Sequence, residues 1–256
     1  MIMIAVLSAL VVASVPAGYK LVFKDEFNYK GLPDAKKWTA ETGYLRNNEK
    51  QYYTEGRTEN ARVDGKVLTI EARKDNFKGK PITSACLNTS KNFSFTYGYV
   101  EVRAKVPGGR GTWPAAWMLA KDIDKKGWPL CGEIDIIEYV GYEPDNVHFN
   151  AHTQAYNHTI GTNKGTHVVV PNFKDEFHTF GLLWTPDKLV WELDGKKVFE
   201  FSKESADPTK WPFDTPQYLI LNLAIGGDWG GQKGIDDAIF PAKYLVDYVR
   251  VYQKTK

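Results

Sequence analysis

A chain of 256 residues is long enough for one large all-β domain with a substantial core. Its 33 Lys and Arg face 31 Asp and Glu, a formal net charge of +2 with no long run of one sign, which argues against nucleic acid or an anionic membrane surface as a partner. Aromatic residues make up 14% of the chain, several of them among Gly, Pro and polar residues, where flat rings suit sugar faces as well as a sandwich core.

In chain order, residues 1–17, MIMIAVLSALVVASVPA, are apolar and uncharged and end on small residues at Val15 and Ala17. They read as a signal peptide cleaved after Ala17, which makes the mature protein secreted or periplasmic and free of the membrane. A single domain over residues 18–256, acting as a monomer, is expected after it. Strand signals then recur. KVLTIEARK is the first, and YVEVRAKV alternates Val100, Val102, Ala104 and Val106 with Glu101, Arg103 and Lys105. VHFNAHT, HTFGLLWT, QYLILNLAI and LVDYVRVYQ continue the pattern, and KLVWELDGKKVFEF is two strands about the hairpin dipeptide Asp194-Gly195. Helical periodicity nowhere exceeds a turn or two. The expectation is one antiparallel sandwich, with a closed barrel left open because strand pairing is not written in the period. Cys86 and Cys131 are too few for a disulfide scaffold and leave one bridge or two buried thiols open.

Between these lies CGEIDIIEYVG, a core-like strand that carries Glu133, Asp135 and Glu138. Alternation puts Glu133 and Asp135 on one face and Glu138 on the other. An unpaired charge aimed into the core costs several kcal/mol or more, about enough to argue against regular pleating here. A β-bulge between Asp135 and Glu138 absorbs one residue and returns Glu138 to the face of the other two. Carboxyl groups about 5 Å apart across a sugar linkage are what retaining glycoside hydrolysis needs, and a third acid between them adjusts which one keeps its proton. A solvated row of charges is the plainer reading, and a metal site with His148 and His152 is the other rival, although the spacing is not that of a zinc cage. In VHFNAHT the same alternation sets His148, Asn150 and His152 on one side, facing the acids.

The motif Glu-Ile-Asp-Ile-Ile-Glu resembles the active-site signature of glycoside hydrolase family 16 in the bulged form of its laminarinase-like members. NNEKQYYT, FSFTYGYVEVRAKVPGGRGTWPAAWML, LILNLAIGGDWGG, GIDDAIFP and VDYVRVYQ are similar to the family in the same order, so the resemblance covers the chain after the leader. It implies a concanavalin-like β-jelly-roll sandwich of two antiparallel sheets with an open cleft for a β-glucan polysaccharide. It also implies Glu133 as nucleophile, Asp135 as helper acid and Glu138 as general acid/base.

Around the acids, Trp113, Trp117 and Trp128 are expected along the cleft, Trp117 being the one nearest to plain core. Asn47 lies in a loop that in similar enzymes reaches the non-reducing side, with Arg46 and Asn48 as alternatives. Asn222 interrupts an apolar run and is read as facing the cleft, because in the core it would need a buried partner. Trp229 on a Gly-rich loop is a candidate sugar platform, and Cys86 stands where related sequences often carry Arg or Ser. The resemblance implies no cofactor for catalysis. A structural calcium is placed at Asp247 with backbone oxygens near Glu26 and Gly65, an ordinary salt bridge being the alternative for Asp247. The function expected is internal cleavage of β-1,3 or mixed β-1,3/1,4 glucans. The rivals are another family 16 specificity such as agarose or carrageenan, and a non-catalytic glucan-binding lectin.

Overall fold

The computed structural model describes residues 15–255, so the leader expected over residues 1–17 lies, for residues 1–14, outside the described residues. Two antiparallel sheets carry the fold, each an open row of strands, which makes it a β-jelly-roll sandwich and not a closed barrel. The larger sheet runs in the order Lys196–Ser202, Lys188–Leu193, His178–Trp184, Gly98–Lys105, Ala242–Lys254, Leu68–Ala72, Ala61–Asp64 and Lys30–Gly31, with Tyr19–Asp25 also pairing to Ala242–Lys254. The smaller sheet runs Lys164–Val169, Asn146–His152, Glu133–Glu138, Thr112–Ala120, Gln217–Ile225, Cys86–Asn88 and Thr39–Ala40.

Alternation explains how the sheets close. Val100, Val102 and Ala104 face inward from one sheet and meet Ile134, Phe149, Leu219, Leu221 and Leu223 from the other. Each large side chain removed from water in this way stabilises the fold by about 1.5–3 kcal/mol. At the hairpin, Asp194 (φ 49°) and Gly195 (φ 72°) both take the positive angles of a tight turn whose twist matches its strands. Cys86 and Cys131 are both buried and unpaired, which settles their state as separate thiols.

One central strand was not among the expected elements. Thr112–Ala120 sits between the carboxylate strand and Gln217–Ile225, although it contains Pro114, a residue that ordinarily argues against an interior strand. Its pairing with the carboxylate strand begins at Ala115, opposite Glu138, so Pro114 lies one residue before the ladder that would need its missing N–H.

The carboxylate strand itself is bulged. Asp135 pairs with Asn150 and Glu138 with His148, so Ile136 and Ile137 together stand opposite the single residue Phe149. The same shift separates Trp117↔Asp135 from Ala116↔Ile137 on the other side. Ile134, Ile136 and Ile137 all enter the core. From the opposite sheet the buried Trp191 donates its indole N–H to the Asp135 carbonyl at 2.8 Å, a contact across the sandwich at the bulge itself. Replacing Trp191 with Phe keeps most of the packing and deletes this donor. The expected outcome is a loss of about 1–3 kcal/mol in urea unfolding. Unchanged stability would mean that the bulge does not need the indole.

Candidate active site

With the bulge in place, the three acids share the outer face of the smaller sheet. Glu133 stands opposite His152, Asp135 opposite Asn150 and Glu138 opposite His148. The contacts follow this register. His152 Nε2 lies 3.3 Å from Asp135 Oδ2 and 3.9 Å from Glu133 Oε1. Glu138 Oε1 accepts the Trp113 indole N–H at 3.2 Å, and Glu138 Oε2 accepts an Asn150 amide N–H at 3.1 Å. Both Glu138 oxygens are therefore held in place, each with a lone pair left over.

Crowding sets the protonation of this group. Asp135 is 2% exposed, and the approach of His152 Nε2 lacks hydrogen-bond geometry, so Asp135 Oδ2 is buried without a partner; His152 Nδ1, the other ring nitrogen, is also buried without one. Burial and the charge of Glu138 push the Asp135 carboxyl well above its ordinary range. Burial, then the Asp135 charge, push Glu133 up to about 8, against the opposing pull of His152. Asp135 is the natural holder of a proton here, being the most enclosed and the least solvated. A neutral Asp135 removes the second cause that raises Glu133, so a proton on Asp135 favours an ionised Glu133. Glu133, Asp135 and His152 bring ligand atoms within 4.8 Å of one another, the one such grouping of three found among the described residues. One imidazole and two carboxylates packed this closely fall short of the four-ligand zinc cage, and the proton account explains them.

The flanking residues fall into three groups. On the Glu138 side, Trp113 meets Trp229 edge-on at 5.6 Å, and Trp229 meets His148 at 4.8 Å. His148 Nε2 lies 3.0 Å from Glu143 Oε2, and burial lowers the imidazole's pKa. On the Glu133 side, Trp128 is 37% exposed and tilted against His152 at 6.2 Å and His158 at 5.2 Å. His158 was not among the expected residues. It sits in a short 3-10 turn, His158–Ile160, pinned by the buried Asn157, so no strand period marked it.

The third group lies further along the same outer face. Trp117, opposite Asp135 and alternating with the inward Met118, is half-buried there against Tyr53, Cys86, Tyr218 and Ile220, a small apolar cluster separate from the main core. Asn222, opposite Ala115 and alternating with the core residues Leu221 and Leu223, lies on the outer face with the acids, where its neighbours cover it to 6% exposure. Its Oδ1 accepts the Trp117 N–H at 2.8 Å, and its amide donates to Tyr53 Oη at 3.0 Å, which in turn donates to Glu49 Oε2. Asn222 thus orients the Trp117 ring. Asn47 directs its amide to Glu49 at 3.4 Å, and Asn48 bonds Asp228 at 2.8 Å, so this loop is fastened to the Gly-rich loop that carries Trp229. Of the three candidates in the loop, Arg46 is the one placed over the Trp117 ring, at 5.3 Å, and it is ion-paired with Glu41.

Of the groups named for calcium, Asp247 is paired with Arg103, the salt bridge that was its alternative reading. The other two are backbone oxygens, near Glu26 and Gly65, and the Glu26 side chain turns to Arg250 with two 2.9 Å bonds. Calcium enters no step below.

Comparison with known proteins agrees with the architecture. The profile of Glycosyl hydrolases family 16 matches residues 48–250. The chain is 49% identical over 244 residues to a beta-glucanase of Rhodothermus marinus, covering 92% of this chain and 85% of that protein. Among solved structures, the laminarinase of Rhodothermus marinus superposes with a TM-score of 0.89 at 48% identity, covering 93% of this chain and 98% of that one. A mutant of SCLam, a non-specific endo-beta-1,3(4)-glucanase, superposes with a TM-score of 0.90 at 48% identity, covering 94% and 97% of the two chains. That structure presents 1,3-beta-D-cellobiosyl-glucose at its active site.

The crowding of the acids has a cost that can be measured. The crowded Glu133–Asp135 pair keeps a proton in the fold to higher pH than the unfolded chain, which releases it near the ordinary carboxylate value. The stability that goes with this proton is complete below the unfolded value and lost as pH rises through the raised one. Glu133→Gln removes one of the two charges that would otherwise crowd together and escapes much of the loss. It is expected to be more stable than the parent by on the order of 1–3 kcal/mol near pH 8, with the difference closing by about pH 4. Thermal unfolding of both proteins across this range checks it, and a variant that is less stable at high pH contradicts it.

Proposed function

The chain belongs to glycosyl hydrolase family 16, and from that premise we propose that it is a secreted, retaining endo-β-glucanase acting on internal β-1,3 or mixed β-1,3/1,4 linkages. The observation that carries the reading is the single face shared by Glu133, Asp135 and Glu138, made possible by the bulge. A binding protein would gain nothing from three carboxylates forced together at a cost in stability. Export rests on the apolar leader of residues 1–17.

In this reading Glu133 attacks the anomeric carbon while Glu138 gives its proton to the departing glycosidic oxygen, which leaves with the bonding pair. Water then attacks the glycosyl–Glu133 ester as Glu138 takes the water's proton, and the Glu133 carboxylate is released. Asp135 keeps a proton close to Glu133 and spares it a neighbouring charge, so that Glu133 can be ionised while Glu138 is protonated. His152, within reach of both acids, offsets part of their repulsion. Trp113, Trp128 and Trp229 are half-buried or exposed rings on either side of the acids, and stacking at several points along a chain suits mid-polymer binding.

Release of reducing ends from laminarin, barley β-glucan, lichenan and agarose is the direct assay. Turnover is expected on the first three, and Glu133→Gln and Glu138→Gln should each lose at least about a hundredfold. Proton NMR of the first product should show the β-anomer. Tight glucan binding without turnover would favour the lectin, turnover on agarose alone would reassign the substrate, and an initial α-anomer would contradict retention.

A further inference from the structure

Glu138 is held by two donors, and one of them is an amide whose direction the shape of the site leaves open. A terminal amide rotated by half a turn exchanges its N–H group for its oxygen with almost no change of shape. In one orientation Asn150 donates to Glu138 Oε2 and stabilises the carboxylate. In the other it offers an oxygen, which repels the carboxylate and favours the protonated acid. Something must therefore decide which way Asn150 points.

Asn163 occupies the position to do so. Its amide N–H donates to Asn150 Oδ1 at 2.8 Å, and Asn150 in turn donates to Glu138 Oε2 at 3.1 Å. Room for this chain of bonds comes from Gly165, which pairs opposite Asn150, where a Cβ would lie 2.2 Å from Asn150 Oδ1. Lys164, between the two, sends its ammonium away to Glu204 at 3.0 Å. We propose that Asn163 is a positioning residue for the acid/base, fixing the Asn150 amide so that its N–H group faces Glu138. The proposal rests on the reading of Glu138 as the proton donor.

The ionisable groups facing Glu138 are Glu133 and Asp135 on its own strand, His148 across the ladder with Glu143 beside it, and His158 on the following loop. Asn163 acts through none of them, so its removal reads out on Glu138 by way of Asn150. Without the outer donor the amide is free to rotate, and the Glu138 carboxylate loses its bond part of the time.

The test is the pH profile of kcat/KM on laminarin for Asn163→Ala, Asn163→Asp and Asn163→Gln. Asn163→Ala should move the alkaline limb upward by about half a pH unit, with KM near that of the parent. Asn163→Asp, which presents an acceptor where Asn150 needs a donor, should move it further. Asn163→Gln, which keeps the donor, should return it toward the parent. The alanine variant carries no charge, so its shift is not a Coulombic effect of the substitution. An alkaline limb unmoved in both the alanine and aspartate variants overturns the proposal, as does a rise in KM alone. Glu138→Ala separates this failure from that of the underlying reading. Full activity in Glu138→Ala removes the acid/base assignment itself, whereas an inactive Glu138→Ala beside unshifted Asn163 variants removes only the positioning role.

Discussion

One extra residue in one strand governs this site. Regular pleating would leave Glu138 on the side of Ile134 and Ile136, inside the sandwich. The two-against-one pairing of Ile136 and Ile137 with Phe149 turns it outward, and the Trp191 indole reaches from the other sheet to the carbonyl at that point. The bulge thus gives both isoleucines to the core and all three carboxylates to the glucan face. The same residues serve packing and chemistry, which is why the site sits at the middle of a sheet and not on a loop.

Placing three acids on one face works against folding, and the surroundings compensate unevenly. Glu138 has a donor for each oxygen, Glu133 has His152 nearby, and Asp135 has an enclosed oxygen with no hydrogen bond at all. An unsatisfied buried group in a native protein asks for a functional explanation, and a retained proton on Asp135 supplies one. The network from Trp117 through Asn222 and Tyr53 to Glu49 does the opposite work, satisfying every polar atom in order to hold one ring steady. Fastening of the Asn47 loop to the Gly-rich loop links that end of the sheet to Trp229. Stability is given up at the acids and recovered around them.

Much of this was legible because a period of two is hard to disguise. Val100 to Val106, the Asp194-Gly195 hairpin and the alternating polar side of VHFNAHT all stand as the pattern predicts. The odd offset of Glu138 pointed to a bulge, because regular pleating would bury its charge. Pro114 hid a central strand, since the rule against interior proline cannot see where a ladder begins. Asn222 turns away from the core as its polarity implies, but its cover was hidden, because Trp117 and Tyr53 are distant in sequence. Trp191, His158 and Asn163 act through tertiary contacts or from loops, where no local pattern carries the signal.

The account turns on which carboxylate bonds to the sugar. Inactivation with an activated 2-deoxy-2-fluoro-β-laminaribioside, followed by peptide mapping by mass spectrometry, reads this directly, because the fluorine slows hydrolysis of the glycosyl ester once it has formed. A single glycosyl adduct on Glu133 is the result the account predicts. An adduct on Asp135 or Glu138, or steady turnover of glucan by a protein that never acquires one, would contradict it.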